Sequence, residues 1–145
     1  MKYVIQKNDG TIGIMSMTRE LDVMGQIAKS VDRDSIVGAH KIAQEDIPID
    51  KSFRSAWVWN GKIEHDLTKA KEIALQRVRS ERDPILSKLD GVTFKAIETE
   101  DSVLLAKVKA DKQALRDITN TLKNLDAKSI DDIKATIPDL SPYKV

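Results

Sequence analysis

The sequence predicts an α+β fold, in which a small β-rich N-terminal half precedes a C-terminal antiparallel helical hairpin. Before about residue 66, short apolar runs alternate with turn signals, which is typical of β-hairpins. After that point, apolar residues recur at spacings of three and four, which is typical of amphipathic helices. We therefore expect a β-rich domain over residues 1–65 and a helical domain over residues 66–145.

The N-terminal half carries two hairpin signals. Asp9-Gly10 and Asn60-Gly61 each lie between β-prone runs, and such pairs favour tight turns between antiparallel strands. Between these turns, helical spacing from Leu21 to Lys29 predicts a short helix, and residues 35–42 predict a further strand. Residues 47–50 contain a proline, so we expect them to form an extended loop.

The first long helix is expected to start after Asp66, whose carboxylate is suited to capping it. Pro84 lies inside the helical pattern, so it either kinks one helix or opens a second helix that Asp83 caps. Asp90-Gly91 predicts a helix stop. The apolar face of this segment comprises Leu67, Ala70, Ala74, Val78, Ile85 and Leu89.

A second helical run starts near Thr93, with a possible interruption at residues 99–102, and extends to Leu125. Two long amphipathic helices joined by a short connection are expected to pack as an antiparallel hairpin. A last short helix opens at Ser129 and ends before Pro138, and we expect residues 141–145 to be frayed. The apolar face of the second run comprises Leu105, Val108, Leu115, Ile118, Leu122 and Leu125.

Composition and charge exclude several classes of protein. The chain has 145 residues, of which 41% are hydrophobic and 32% charged, and this balance argues against global disorder. Its 24 basic and 23 acidic residues leave a net charge of +1, which argues against a dedicated nucleic-acid binder. Acidic residues interrupt the basic stretch 77–82. No apolar run has the length of a signal peptide or a membrane span, so we expect the protein to remain in the cytoplasm.

The sequence is poor in catalytic and metal-binding chemistry. It contains no cysteine, which excludes disulfides and thiolate sites, and no glycine-rich phosphate loop. His40 and His65 are isolated in the sequence. In Glu64-His65-Asp66, neighbouring side chains on a strand point to opposite faces and would not converge on one ion. We therefore expect no enzymatic activity, no metal and no cofactor.

The aromatic residues of the N-terminal half allow two interpretations. Trp57 and Trp59 alternate on one strand and therefore project from the same face. They either cover the core of the β-rich half or form, together with Phe53, an aromatic patch that binds another protein.

Residues 79–90 carry the pattern Arg-x-x-Arg-Asp-Pro-Ile-Leu-x-x-x-Asp, and residues 112–119 read Lys-Gln-Ala-Leu-Arg-Asp-Ile-Thr. Both segments resemble motifs of the phage tail assembly chaperone proteins. The proline pair at 138 and 142 is similar to the end of that family. The segment 53–57 resembles small prophage-encoded proteins that carry the same C-terminal module.

The resemblance implies a non-enzymatic phage or prophage protein that assists tail or tail-fibre assembly by binding a tail subunit. It would act in the cytoplasm of the bacterial host cell. The alternative is a structural component of the tail, fibre or baseplate that remains in the virion. Such a component would form a homo-oligomer through the Leu105–Leu125 face.

The matched segments also suggest ion pairs within the helical hairpin. In an antiparallel hairpin, Arg82 and Asp83 on the first helix could face Arg116 and Asp117 on the second. Arg79 could pair with Asp83 one turn further along the same helix. We expect such pairs to fix the helix register, because exposed ion pairs contribute little to stability.

Overall fold

The structure, a computed structural model, describes residues 1–19, 23–29 and 33–145. It confirms the α+β prediction, with a small antiparallel sheet in the N-terminal part and long helices in the C-terminal part. The chain divides into two compact units, residues 1–70 and 71–145. The division between the units therefore falls at 70/71, whereas the sequence predicted it at 65/66.

A three-stranded antiparallel sheet organises the first unit. Its central strand, β1 (Lys2–Lys7), pairs with β2 (Ile12–Ser16) on one side and with β3 (Ile36–Ile42) on the other. The turn between β1 and β2 contains Gly10, whose φ of 82° lies in the left-handed region that glycine favours. The first predicted hairpin and the predicted strand at 35–42 are thus confirmed.

One face of this sheet packs against the predicted short helix. That helix, α1, spans Val23–Lys29, and Leu21 lies outside the described residues. Tyr3 and Ile5 of β1 form a buried cluster with Val23. The partly buried side chains around this cluster are Met15, Met17, Ile27, Ile36 and Ala39.

The second predicted hairpin joins β4 (Trp57–Trp59) to β5 (Ile63–His65), and both strands are short and antiparallel. Gly61 has a φ of 71°, as the Asn-Gly turn signal requires. A single 3₁₀ turn, Arg54–Ala56, precedes β4. Directly after β5, the backbone N–H of Asp66 donates to the carbonyl of Ala56 over 2.7 Å and closes the hairpin.

The first long helix, α2, spans Leu67–Glu98. Asp66 caps it as predicted, because its Oδ1 accepts from the N–H groups of Thr68 at 3.1 Å and Lys69 at 3.2 Å. The helix continues through Pro84, so the proline does not divide it into two. A proline in a helix removes one backbone hydrogen bond, and the side chain of Pro84 is exposed.

The predicted helix stop at Asp90-Gly91 is wrong. The core-facing spacing continues past this point, because Ala96 is as deeply buried as Leu89. The helix ends at Glu98, and Glu100, two residues further on, has a left-handed φ of 53°. Its N–H donates to the carbonyl of Ile97, and the N–H of Asp101 donates to the carbonyl of Ala96. These two bonds form a Schellman motif in which glutamate takes the place usually held by glycine.

The second helix of the hairpin, α3, spans Ser102–Asp117. The Asp101 carboxylate accepts from the N–H of Leu104 at 2.9 Å and caps it. A hydrophobic core joins α2 to α3 and to the C-terminal segment, and Lys112 of α3 forms an ion pair with Asp90 of α2. These contacts show an antiparallel hairpin. The buried members of this core are Ile85, Leu89, Val108, Leu115 and Leu140.

The second helical run does not continue unbroken to Leu125. It is interrupted after Asp117 and resumes as a single turn, α4 (Asn120–Lys123). The Lys71 ammonium donates to the carbonyl of Leu125 over 2.9 Å and ties the end of this segment to α2. The last predicted helix, α5 (Ile130–Thr136), is confirmed, and the Ser129 hydroxyl accepts from a backbone N–H in its first turn.

The C-terminal tail is anchored, so the prediction of fraying is wrong. Leu140 is buried in the core of the second unit, and Tyr143 of the 3₁₀ turn Ser141–Tyr143 packs against the same core. The Lys144 ammonium lies 3.2 Å from the carboxylate of Glu81 on α2. The apolar contacts of Leu140 and Tyr143 therefore hold the C-terminal segment in place, although several of its residues are polar.

Candidate protein-binding surface

Two of the three residues of the predicted aromatic patch are buried. Phe53 and Trp57 are each only 2% exposed, so neither can contact a partner while the unit is folded. The Trp57 indole N–H donates to Nε2 of His65 over 3.2 Å, and the two rings meet edge to face. The other interpretation, that these aromatics cover the core of the β-rich half, is the one the structure shows for Trp57.

Trp59 is half-buried and has a partner for one ring face. Its indole stacks on the imidazole of His40, with ring centroids 4.9 Å apart and planes inclined by 17°. His40 belongs to β3 and Trp59 to β4, so the stack connects the sheet to the second hairpin. Because only part of its ring remains accessible, we infer that Trp59 mainly connects the β4–β5 hairpin to strand β3.

The predicted ion pairs between the two long helices are not present among the described residues. The Arg82 guanidinium pairs with its neighbour Asp83 through bonds of 2.8 and 2.9 Å to one carboxylate oxygen. Arg116 is exposed, and Asp117 accepts instead from the Gln113 amide on its own helix at 3.0 Å. Arg79 is exposed and makes no described pair with Asp83.

The hairpin register explains this outcome. Lys112 lies opposite Asp90, so Arg116 comes opposite the turn around Leu86, one helical turn away from Arg82. The residues opposite Arg82 lie beyond the end of α3. The prediction placed the two Arg-Asp motifs opposite each other. In the structure, the position of the loop at residues 99–101 determines which residues of α2 and α3 lie opposite each other.

Three exposed large apolar residues lie in the turns of α2 and α3 that flank the connection between the two helices. Phe94 is 68% exposed, Ile97 is 56% exposed and Val103 is 81% exposed. The first two lie one turn apart on the last turns of α2, and Val103 lies in the first turn of α3. We call these three residues the apolar tip. Large apolar side chains that are exposed on both sides of one connection are candidates for a protein-binding surface.

The surroundings of the apolar tip are acidic. Glu98 is the last residue of α2, Glu100 and Asp101 lie in the connection to α3, and all three are exposed. Lys95 is the only basic residue between Asp90 and Lys107 in the sequence. Charge complementarity therefore favours a partner whose apolar surface is flanked by basic side chains.

Sequence reasoning missed the apolar tip because it ended the first helix at Gly91. With α2 continued to Glu98, Phe94 and Ile97 fall outside the core-facing positions Leu89 and Ala96. Apolar residues on the solvent-facing side of a helix indicate a binding surface, but this side could be identified only once the length of α2 was known.

The three adjacent residues with metal-ligating side chains, Glu64, His65 and Asp66, each have a local contact. In Glu64-His65-Asp66, Glu64 lies 3.6 Å from the Lys62 ammonium, His65 accepts from Trp57 and Asp66 caps α2. Within the described residues, no group of three or more potential metal-ligating side chains is brought together. The three residues therefore stabilise the hairpin and the start of the helix.

Shifted pKa values occur at surface turns. The Thr11 hydroxyl and backbone N–H lower the pKa of Asp9, and the backbone N–H of Ser141 lowers that of Asp139. The hydrogen bond between Asp126 and Lys128 lowers the pKa of the carboxyl and raises that of the ammonium. In each case a local hydrogen bond to the charged form is the main cause.

Comparison with known proteins returns no match among family models, curated proteins or solved structures. Across the described parts of the chain, no helix combines the length and apolar character needed to cross a lipid bilayer.

Proposed function

We propose that this chain is a non-enzymatic phage or prophage protein that assists tail or tail-fibre assembly by binding a tail subunit. The observation that supports this proposal is the apolar tip, in which three large apolar side chains are exposed at the end of a well-packed helical hairpin. The resemblance of residues 79–90 and 112–119 to tail assembly chaperone motifs supplies the kind of partner. The chain would act in the cytoplasm of the bacterial host.

The physical basis of the proposal is the cost of exposing apolar surface. Burying a large apolar side chain at an interface contributes roughly 1.5–3 kcal/mol, and the apolar tip offers three such side chains. A tail subunit that has not yet assembled exposes the apolar surface of its future contacts. Transient cover by the apolar tip would prevent that surface from aggregating.

The alternative function, a virion component that self-associates through its helices, requires an accessible apolar face. The predicted face included Val108, Leu115 and Leu122, which are each at most 2% exposed within the single chain. That face is therefore used inside the molecule, which favours the assembly function. A virion component would therefore have to self-associate through the apolar tip, and this version of the alternative can be tested.

The test is to produce the chain together with the tail and tail-fibre proteins encoded beside it. We expect the soluble yield of one of these proteins to rise severalfold, and we expect Phe94→Ser/Ile97→Ser/Val103→Ser to abolish the gain. Val37→Ser/Ile49→Ser is the matched control, because it removes apolar side chains that are 63% and 99% exposed elsewhere. An equal gain with the triple variant would contradict the proposal.

Purified particles distinguish the two functions. An assembly protein is expected to be absent from mature particles or present far below the copy number of the tail subunits. Quantitative mass spectrometry that finds the chain at a fixed stoichiometric ratio to the fibre or baseplate would instead establish the structural role.

A further inference from the structure

A second surface, in the first unit, gathers positive charge around a cleft. The cleft has a volume of about 210 Å³, several times the roughly 30 Å³ that one water molecule occupies in the liquid. Lys2, Lys51 and Arg54 line it, and none of the described residues that line it is acidic. Because the whole chain has a net charge of only +1, three cations without an acid represent a local concentration of charge.

The three cations come from two parts of the fold, strand β1 and the turn that precedes β4. Lys2 lies on β1, directly opposite Ser16 of β2, and its ammonium donates to the Ser16 hydroxyl over 2.6 Å. The carbonyl of Lys51 accepts from the N–H of Arg54 over 3.0 Å, in a turn that brings these two residues close together. The buried ring of Trp57 lines the cleft beside them.

The cations of the cleft have no counter-ion among the described side chains. Neither Lys51 nor Arg54 lies within ion-pair distance of a described carboxylate. The acid next to Lys51 in the sequence, Asp50, accepts instead from the backbone N–H of Ser52 over 2.8 Å. Like charges that share a cleft repel one another, and a bound anion would relieve that repulsion.

The neutral polar groups of the cleft also suit an anion. The Ser16 oxygen accepts from Lys2, which leaves the hydroxyl hydrogen available to donate to a ligand. The Gln44 side chain, which also lines the cleft, carries an amide N–H₂ group that can donate. Arginine offers a planar fork of donors and lysine a compact charge, and this combination is typical of sites that bind phosphate oxygens.

We propose that this cleft binds a phosphate group, either as the free ion or carried on a small molecule. Three cations and two neutral donors exceed what a single carboxylate requires. A phosphate monoester carries roughly −1.5 to −2 charge at pH 7 and three acceptor oxygens, which match this set. The site lies entirely in the first unit and is independent of the apolar tip, so it can fail without affecting the proposed assembly function.

The experiment is a titration of the full chain with inorganic phosphate, followed by ¹⁵N NMR, with sodium chloride at matched ionic strength as the screening control. We expect saturable shifts in the backbone amides of residues 51–54 and in the Trp57 indole N–H. We expect Lys51→Gln and Arg54→Gln each to weaken the apparent Kd about tenfold, the effect of losing one charge-assisted hydrogen bond. The NMR spectrum of each variant shows directly that it remains folded.

Lys62→Gln is the matched control, because Lys62 is exposed in the same unit but does not line this cleft. It is expected to leave the phosphate Kd unchanged. A parallel titration with glycerol phosphate distinguishes the two sources, since tighter binding of the ester assigns a small-molecule ligand and tighter binding of the free ion assigns phosphate itself. Shifts that do not saturate, that chloride reproduces, or that Lys62→Gln weakens equally would overturn the proposal.

Discussion

Lys112 of α3 forms an ion pair with Asp90 of α2 across the helical hairpin, at equal distance along the chain from the turn at Asp101. The Lys112 side chain is 18% exposed and the Asp90 side chain is 57% exposed, so the pair lies at the edge of the core. Among the described ion pairs it is the one that joins α2 to α3, a contact that the sequence prediction had assigned to arginines.

A double-mutant cycle on this pair tests its role in register. We expect Lys112→Ala, Asp90→Ala and the double variant to give a coupling free energy of about 0.2–1 kcal/mol, because the pair is partly exposed to water. Urea denaturation at low and high salt measures the coupling, which salt should reduce. The same cycle on Lys107 and Asp111, which pair within one helix, is the control. A coupling of zero at low salt would show that core packing alone sets the register.

Trp57 and Trp59 differ in burial, so we expect their replacement by alanine to lower the free energy of unfolding by different amounts. Trp57→Ala is expected to destabilise the protein by about 3–5 kcal/mol, because the side chain is almost completely buried. Trp59→Ala is expected to cost less, since it loses a stacked contact with His40 worth about 0.5–1.5 kcal/mol and only part of its buried surface. Thermal unfolding of both variants measures the difference. Equal losses, or a larger loss for Trp59, would contradict the described packing.

The helix that continues through Gly91 can be tested by substitution. A Cβ built at Gly91 meets no atom within 4 Å, so Gly91→Ala is expected to stabilise the protein by about 0.5–1 kcal/mol. Gly61→Ala is the matched comparison, because its φ of +71° makes any side chain strained and the change destabilising. Chemical denaturation compares the two variants with the parent. A destabilised Gly91→Ala variant would indicate that α2 ends at this glycine after all.

The hairpin turn of the first unit makes a prediction about pH. The Thr11 hydroxyl donates to Asp9 over 2.6 Å and is the largest cause of the lowered pKa of that carboxyl. Because the pKa is lower in the folded protein, the ionised carboxyl contributes stability above its unfolded-state pKa, and this is lost as the pH falls through the folded value. Thr11→Val is expected to move the pKa of Asp9 upward, towards its ordinary value.

Carbon-detected NMR titration of the Asp9 carboxyl measures this change. Asp139, whose pKa is lowered by a different turn around Ser141, serves as an internal control and should titrate identically in both proteins. An Asp9 pKa that does not change in Thr11→Val would assign the shift to the backbone hydrogen bond and to Lys7 and Lys69.

Local chemistry made much of the fold predictable. Asp9-Gly10 and Asn60-Gly61 predicted their hairpins, and Asp66 and Ser129 predicted helix starts, because each signal acts within a few residues. The end of α2 was not predictable in this way. Glycine at position 91 is a possible stop, whereas the left-handed residue is Glu100, and the core contacts of Ala96 decide between them.

The candidate site depended on long-range packing and was predicted less well. The sequence shows that Trp57 and Trp59 share a face, but the fold decides that this face is covered. Likewise, the sequence predicted that Arg82 and Asp83 would face Arg116 and Asp117, but the position of the loop places the two pairs one helical turn out of register. The apolar tip became visible only when the length of α2 was established.

The proposal that the chain acts by binding another polypeptide is tested most directly by the affinity of the purified chain for the tail subunit whose soluble yield it is expected to raise. Calorimetry with the parent, the triple serine variant of the apolar tip and the Val37→Ser/Ile49→Ser control gives the three Kd values. We expect the tip variant to bind at least about 30-fold more weakly, since central interface residues each cost about 2 kcal/mol or more when truncated. The control is expected to match the parent, and equal affinity of all three proteins would contradict the account.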